Sequence, residues 1–344
     1  MHVRLSFLLL TVIVGTFFGL NWLARNQWLA GRIQDWDLRR FGNVELFMNR
    51  GAFIDFEDRL ILDEIPRADY SKGGAYFFGT SALKWALKTW ELPSEQRRFV
   101  GNYGIGATSH QLQFQWIRFL VEQDELLQAG GAKVQVVLGA YWSMGTDWSP
   151  KGYFGRLWQR HGLYDYDPTT GIKPVSLGPL QRAIRYAKAR CSGFISGNFN
   201  RLARFLTTAK GGKLSPTEKL RDPDQIRKYV QKLVDRPNWQ GPLARQMESL
   251  SETIDYLKTR QANVIVVLVP TRRPFFEFPL PVAYREQVKA LCVRESVDCA
   301  DLSDLLDEDQ FWDINHSNSR GLDKTHKAMM ELVLPHLRRH GLVL

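Results

Sequence analysis

Two stretches of this chain have almost no polar face. Val134-Gln135-Val136-Val137-Leu138-Gly139 and Asn263-Val264-Ile265-Val266-Val267-Leu268-Val269-Pro270 are continuous apolar runs rich in β-branched residues. A strand wetted on one side alternates polar with apolar residues, whereas a strand covered on both sides need not. The two runs therefore predict buried strands of a parallel sheet. Strand and helix patterns alternate around them. Ala75-Tyr76-Phe77-Phe78 reads as a strand and Ser81 to about Trp90 as a helix. A longer helix is expected from about Ser109 to Gln128, with Leu112, Phe114, Trp116, Ile117, Leu120 and Val121 on its buried side and Gly130-Gly131 ending it. A helix near Val282–Arg294, a short strand Val297–Leu302 and a final helix from about Gly321 to Leu337 complete the pattern. The expected fold over 70–344 is α/β, three-layered, with a mainly parallel sheet.

The alternation is interrupted between the two runs. Helical patterns near Leu180–Ala189, Asn200–Thr207, Asp224–Val234 and Ala244–Arg260 predict a large helical insertion at about 145–260, since a structureless loop of that length inside a domain is improbable. From Lys151 to Arg260 there are 21 Lys and Arg against 9 Asp and Glu, so the whole excess behind the formal charge of +10 lies in this stretch. Such a field attracts anionic lipid headgroups or an anionic polymer, or is simply a solvated helical surface.

Leu5 to Leu23 is an almost uncharged apolar run between Arg4 and Arg25, close to the ~20 residues that span a bilayer as a helix. No small-x-small cleavage site follows it, so residues 1–27 read as an uncleaved anchor rather than a signal peptide. Trp22 and Trp28 suit the interfacial belt, and Arg4 with the α-amino group favours a cytoplasmic N-terminus. The remainder is then expected outside the cytoplasm, periplasmic or on the outer face, which disfavours a nucleic-acid partner. Residues 28–69 read as a connecting segment, with Val44–Met48 as a turn of helix or a strand. Three cysteines are too few for a disulfide scaffold; Cys292 and Cys299 either bridge or remain thiols on a helix and the next strand.

Two short segments carry the chemistry. Gly79-Thr80-Ser81 closes the first strand, and Asp313-Ile314-Asn315-His316 lies near the C-terminus. Ser81 alone is a common helix N-cap, and Asp-x-x-His alone a common solvated turn. Taken together they supply a nucleophilic hydroxyl, a base and a group to orient the base. The three-residue spacing lets the carboxylate accept from one imidazole nitrogen while the other faces the serine.

The order of further signals between these segments resembles the SGNH (GDSL-like) hydrolase superfamily. Gly79-Thr80-Ser81 stands at the Gly-Asp-Ser block with Thr80 in place of Asp. Asn102-Tyr103-Gly104-Ile105-Gly106-Ala107-Thr108 resembles the second block, one residue shorter, and Gly139-Ala140-Tyr141 falls where the third block has Gly-x-Asn. Asp313-x-x-His316, with Asn318 and Gly321 following, matches the last block. The resemblance implies an SGNH/flavodoxin-like sheet, Ser81 as nucleophile, His316 as base and Asp313 as its orienter. An oxyanion donor is implied at Gly106, with Gly104 the alternative. The anchor and the insertion resemble the DltD-like, envelope acyl-transfer branch. This implies an extracytoplasmic esterase or O-acyltransferase acting on an acyl group of an envelope glycan or anionic polymer, in company with the bilayer and a membrane acyltransferase.

Other residues are assigned by position. Arg272 and Arg273 follow the strand ending at Pro270, where an open α/β sheet binds ligands, and are candidates to hold a phosphate or carboxylate, with Tyr141 beside them. Trp142, Trp148, Tyr153, Phe154 and Trp158 form either a sugar-stacking or acyl-binding wall or packing under the insertion. His110, His161 and His326 lack zinc spacing, and no Gly-Lys-Ser/Thr phosphate loop occurs, so no metal or cofactor is expected. The rival reading, from another class, is a non-catalytic assembly or polysaccharide-binding component that uses the basic insertion to hold a partner.

Overall fold

A computed structural model of the chain describes residues 68–146 apart from 90, 91 and 124, 151–189 apart from 168 and 169, and 223–343 apart from 236, 237 and 312. Shorter pieces are described at 6, 8, 9, 11–16, 19, 57 and 60–65. The Val44–Met48 element, the helix over Asn200–Thr207, Trp148 and Cys191 lie outside these residues.

The central sheet has five strands: β1 (Gly74–Phe78), β2 (Val100–Asn102), β3 (Val134–Ala140), β6 (Asn263–Leu268) and β7 (Asp298–Asp301), in the order β2-β1-β3-β6-β7. Every pairing is parallel, with Phe78 opposite Leu138 and Ala140 opposite Leu268. Strands β1 and β3 are buried along their whole length, as the unbroken apolar pattern requires. The order reverses at β1, so the ends of β1 and β3 diverge to helices and loops on either side of a topological switch point.

Helices connect the strands. They are α1 (Ser81–Lys84), α2 (Ser94–Arg97), α3 (His110–Gln123), α4 (Lys151–Gln159), α5 (179–189), α6 (Pro223–Val234), α7 (Gln240–Lys258), α8 (Pro279–Glu295) and α9 (Ser319–Arg339). The span between β3 and β6 is not purely helical, because Tyr164–Asp167 (β4) and Gly171–Pro174 (β5) make a two-stranded ribbon within it. α1 stops at Lys84 rather than near Trp90. The Lys84 carbonyl, which a continuing helix would offer to the Lys88 N–H, accepts instead from Asn102 Nδ2 at 2.8 Å, and the Lys88 N–H donates to His326 Nδ1 at 3.2 Å.

Backbone proximity divides the chain into two units. One comprises Met1–Arg67, Trp158–Asp165 and Pro174–Lys213, and the other Ala68–Leu157, Tyr166–Lys173 and Leu214–Leu344, which holds the five-stranded sheet. In the first, Leu62, Leu163 and Ala189 form a small core joined by Tyr164, Leu177 and Tyr186. Within the N-terminal apolar run, residues 11–16 are helical, and no helix among the described residues is long and apolar enough to cross a membrane. Cys292 and Cys299 are free thiols, the first buried and the second exposed.

Candidate active site

The site is built at the carboxyl ends of β1 and β3. Both strands reach a glycine there, and one side chain explains the pair. A Cβ on Gly79 would stand 2.8 Å from Leu83 Cδ2, and one on Gly139 2.7 Å from the same atom. Leu83, fully buried, therefore drops into the slot between two strand ends and pins α1 directly over them. Gly79 contributes space rather than the sharp bend its position suggests. Thr80, extended at φ −82°, takes the N-cap position, and its carbonyl accepts from the Leu83 and Lys84 N–H groups. Ser81 is thus the first residue of α1, and its hydroxyl is directed elsewhere.

That hydroxyl meets His316. Ser81 Oγ lies 2.9 Å from His316 Nε2, and His316 Nδ1 lies 2.7 Å from Asp313 Oδ2. The carboxylate accepts only, so Nδ1 carries the proton, Nε2 is left as acceptor, and the Ser81 O–H donates to it. The other Asp313 oxygen accepts from the backbone N–H groups of Asn315 and His316, both at 2.7 Å. One carboxylate thereby folds its own loop and orients the ring. Burial alone would raise the Asp313 carboxyl, but the bonds from His316 and from the two N–H groups outweigh it and hold the group below its usual range.

The loop carrying these residues is closed by an isolated bridge between Phe311 and Ser317 and by the Asn318 N–H donating to Gln310 O at 2.8 Å. Asn318 then caps α9 by accepting from the Gly321 N–H at 3.1 Å. A Cβ on Gly321 would stand 2.4 Å from the Gln310 carbonyl, so the residue must be glycine for the helix to start this close to the loop.

The second sequence block runs alongside β1. The Tyr103 N–H donates to Phe77 O at 2.7 Å and the Ile105 N–H to Gly79 O at 2.9 Å, so the block that contains Gly106 runs beside the strand end that leads to Ser81. The Gly104 N–H donates to Asn102 Oδ1 at 3.3 Å, while Asn102 Nδ2 holds the last carbonyl of α1. Asn102 therefore stitches the block to the helix bearing Ser81.

The two arginines differ in setting, and Arg272 is only 4% exposed. Its guanidinium pairs with Glu308 at 2.9 Å, reaches the carbonyls of Asp313 at 3.3 Å and Glu308 at 3.4 Å, and sits 5.5 Å from the Phe311 ring. It clamps the Asp313 loop from behind. Arg273 is exposed, with its N–H on Glu308 Oε1 at 3.0 Å. Tyr141 is buried, and its hydroxyl donates to Asn315 Oδ1 at 2.7 Å, a second brace on the same loop. Among the described residues of the aromatic cluster, Trp142 packs against Phe275 at 4.9 Å, Phe154 against Tyr166 at 5.0 Å and Trp158 against Tyr164 at 5.5 Å.

No family model, curated protein or solved structure matches this chain. The likeness to SGNH hydrolases is therefore a likeness of short sequence blocks alone. Among the described residues, no group of His, Cys, Asp and Glu side chains is arranged to hold a metal ion.

One network under the site has no signature in the sequence. Gln113 Nε2 donates to the carbonyl of Phe78 at 2.9 Å, and its Oε1 lies 3.1 Å from His110 Nδ1, which must then be the protonated nitrogen. His110 Nε2 accepts from the Tyr284 hydroxyl at 2.8 Å, and the Tyr284 oxygen accepts from the Tyr141 N–H. The chain of bonds joins the last carbonyl of β1 to the residue following β3. Burial, opposed by the Gln113 bond, holds the His110 pKa down to about 4, so the ring stays neutral and the polarity of the network is fixed.

Proposed function

We propose that this chain is a membrane-anchored, extracytoplasmic serine ester hydrolase or O-acyltransferase of SGNH type. The observation that carries the reading is the continuous line from Asp313 through His316 to the Ser81 hydroxyl, with both contacts under 3 Å and one tautomer permitted. Ser81 Oγ attacks an ester carbonyl while its proton passes to His316 Nε2, and Asp313 stabilises the imidazolium that forms. The tetrahedral oxygen is received by the backbone N–H groups of Ser81 and Gly106, an effect of the order of 3 kcal/mol per donor. Collapse returns the proton to the departing alcohol and leaves an acyl-serine. Water or a sugar hydroxyl, deprotonated by the same imidazole, then resolves it.

The five-stranded order with the serine at the end of β1 and the base loop before the last helix supports a flavodoxin-like, three-layered SGNH scaffold. The choice of an acyl group on an envelope glycan or anionic polymer, the membrane placement and a membrane acyltransferase as partner rest on the apolar N-terminal run, the basic stretch and the family likeness.

Labelling by a serine-directed fluorophosphonate tests the chemistry. The wild-type chain is expected to label and Ser81→Ala to be silent. Equal, residual labelling of both proteins under conditions that label an established serine esterase would refute the catalytic reading.

A further inference from the structure

Two cysteines face one another across the joint between α8 and β7. Arg285, Lys289 and Cys292 are spaced i, i+4 and i+7 on α8 and so share one stripe of the helix. Cys299 and Asp301 are two apart on β7 and so share one face of the strand. The first two residues of the stripe already meet that face, where Arg285 Nε and Lys289 Nζ pair with Asp301 Oδ2 at 2.8 Å and 2.7 Å. The chain reverses between the two elements, so the next residue along the stripe, Cys292, is brought to the preceding residue on the face, Cys299. The turn that does this is tight. Ser296 is left-handed at φ 52°, and the Val297 N–H donates to the Cys292 carbonyl at 3.0 Å. Across the joint the Cys292 thiol donates a hydrogen bond to the Cys299 sulfur.

The two thiols are not equivalent. Cys292 is 1% exposed, whereas Cys299 is exposed on the last strand in the sheet order. A solute reaches Cys299 first. The contact polarises the pair in the same sense. The bond from Cys292 lowers the Cys299 thiol below its usual range against the effect of burial, and the same bond, with burial, raises the Cys292 thiol. The thiolate is the nucleophile, and here it forms on the accessible sulfur.

We propose that Cys292 and Cys299 are an oxidisable dithiol, in which Cys299 reacts with a disulfide-bearing oxidant and Cys292 resolves the product into a bridge between α8 and β7. The Cys299 thiolate attacks one sulfur of the oxidant, whose S–S bond breaks, and the other sulfur leaves as a thiolate that takes up a proton. Cys292, losing its own proton, then attacks the Cys299 sulfur of the mixed disulfide and expels the second oxidant thiolate, which takes up that proton. Two protein thiols are oxidised, and one oxidant disulfide is reduced to two thiols. The bridge encloses the turn at Ser296 and ties the last turn of α8 to the sheet. Neither the Ser81 chemistry nor the membrane placement enters this inference.

The test uses the full chain in mild detergent, reduced, freed of reductant and exposed to oxidised glutathione as the probe. Remaining thiols are blocked with N-ethylmaleimide, and tryptic peptides are mapped by mass, which keeps Cys191 distinct. The wild-type chain is expected to yield a linked Cys292–Cys299 peptide pair that dithiothreitol releases. In the native reduced chain, maleimide should reach Cys299 about tenfold or more faster than Cys292. Cys292→Ser should stop at a glutathione adduct on Cys299, and Cys299→Ser should leave Cys292 without an adduct over the same exposure. A wild-type chain that stops at the adduct, or that links to a second copy through Cys299, shows that Cys292 does not resolve and overturns the proposal. So do two thiols that stay fully alkylatable beside a control dithiol that oxidises. An adduct on Cys292 in Cys299→Ser, formed as fast as the wild-type bridge, overturns the assigned order of attack.

Discussion

The buried network beneath the site has a worth that changes with pH in a calculable way. His110 is fully enclosed, and burial, opposed by the Gln113 bond, lowers its pKa from 6.5 to about 4. Between those values the unfolded chain binds a proton that the folded chain excludes. Stability therefore rises with pH across the window and is lost as pH falls through it. Taking the ratio of bound to unbound forms in each state, acidification from pH 7.5 to pH 4.5 removes roughly 2.5 kcal/mol through this one ring. His110→Phe keeps a ring against Tyr284, whose centroid lies 5.9 Å from that of His110, but cannot titrate. It leaves the Tyr284 hydroxyl and Gln113 short of a partner, at a cost of about 1–3 kcal/mol each. The variant should thus be clearly weaker at pH 7.5, and its deficit against the wild type should shrink by roughly 2.5 kcal/mol at pH 4.5. Urea unfolding of the full chain in mild detergent, followed by tryptophan fluorescence at both pH values, measures the difference. Other acid-sensitive groups cancel in the comparison. His326, which burial and then Lys88 also hold at about 4, is present in both proteins. If both proteins lose the same stability on acidification, His110 is not an enclosed neutral ring and the assigned polarity of the network fails.

Asp313→Asn keeps the shape of the loop but turns an amide donor toward His316 Nδ1. The ring should then carry its proton on Nε2, so fluorophosphonate labelling of Ser81 is expected to slow by about 10³–10⁴-fold without loss of fold; a change under tenfold would mean that this carboxylate does not set the tautomer. Gly139→Ala places a methyl group against Leu83 in the slot under α1, with an expected cost of about 1–3 kcal/mol and slower labelling from a displaced Ser81. A thermal shift with unchanged labelling kinetics would show that the slot supports the fold but does not aim the hydroxyl.

What the sequence disclosed and what it concealed divide along a physical line. The strands β3 and β6 were legible because a strand buried on both faces is written mostly in apolar, β-branched residues, and runs of that length and composition favour a strand. Ser81, Asp313 and His316 were nameable because a hydroxyl, a base and its orienter need those residue types and a local spacing. Relations across long separations left no trace. Arg272 shows a charge at a strand end, which is as consistent with a ligand as with Glu308, 36 residues away. The Tyr141–Asn315 and His110–Tyr284 bonds each span 174 residues, and nothing local to either end announces them. α1 was expected to run on to Trp90 because helical propensity is local, whereas its end is set by Asn102 and His326 reaching in from other elements.

Arg272 and Tyr141, both expected near a ligand, have their polar groups engaged by one loop. Both sit just beyond strand ends where an open α/β sheet presents side chains to a ligand, and in this chain both turn to the loop of Asp313 and His316. Arg272 holds the backbone of Asp313, and Tyr141 holds the side chain of Asn315, between the acid and the base. Loops are the mobile part of such a fold, and a base displaced by a fraction of an ångström loses its line to the hydroxyl. The Asp313 carboxylate adds two bonds to its own backbone, so the loop is fixed from inside and from β3 and β6. The consequence falls on the oxyanion side. On the proposed chemistry, a tyrosine whose hydroxyl is held by Asn315 does not offer the donor that an asparagine would place at the end of β3, and a tetrahedral intermediate would depend on backbone N–H groups. The chain has placed rigidity of the base where its likeness to SGNH hydrolases would place a third donor.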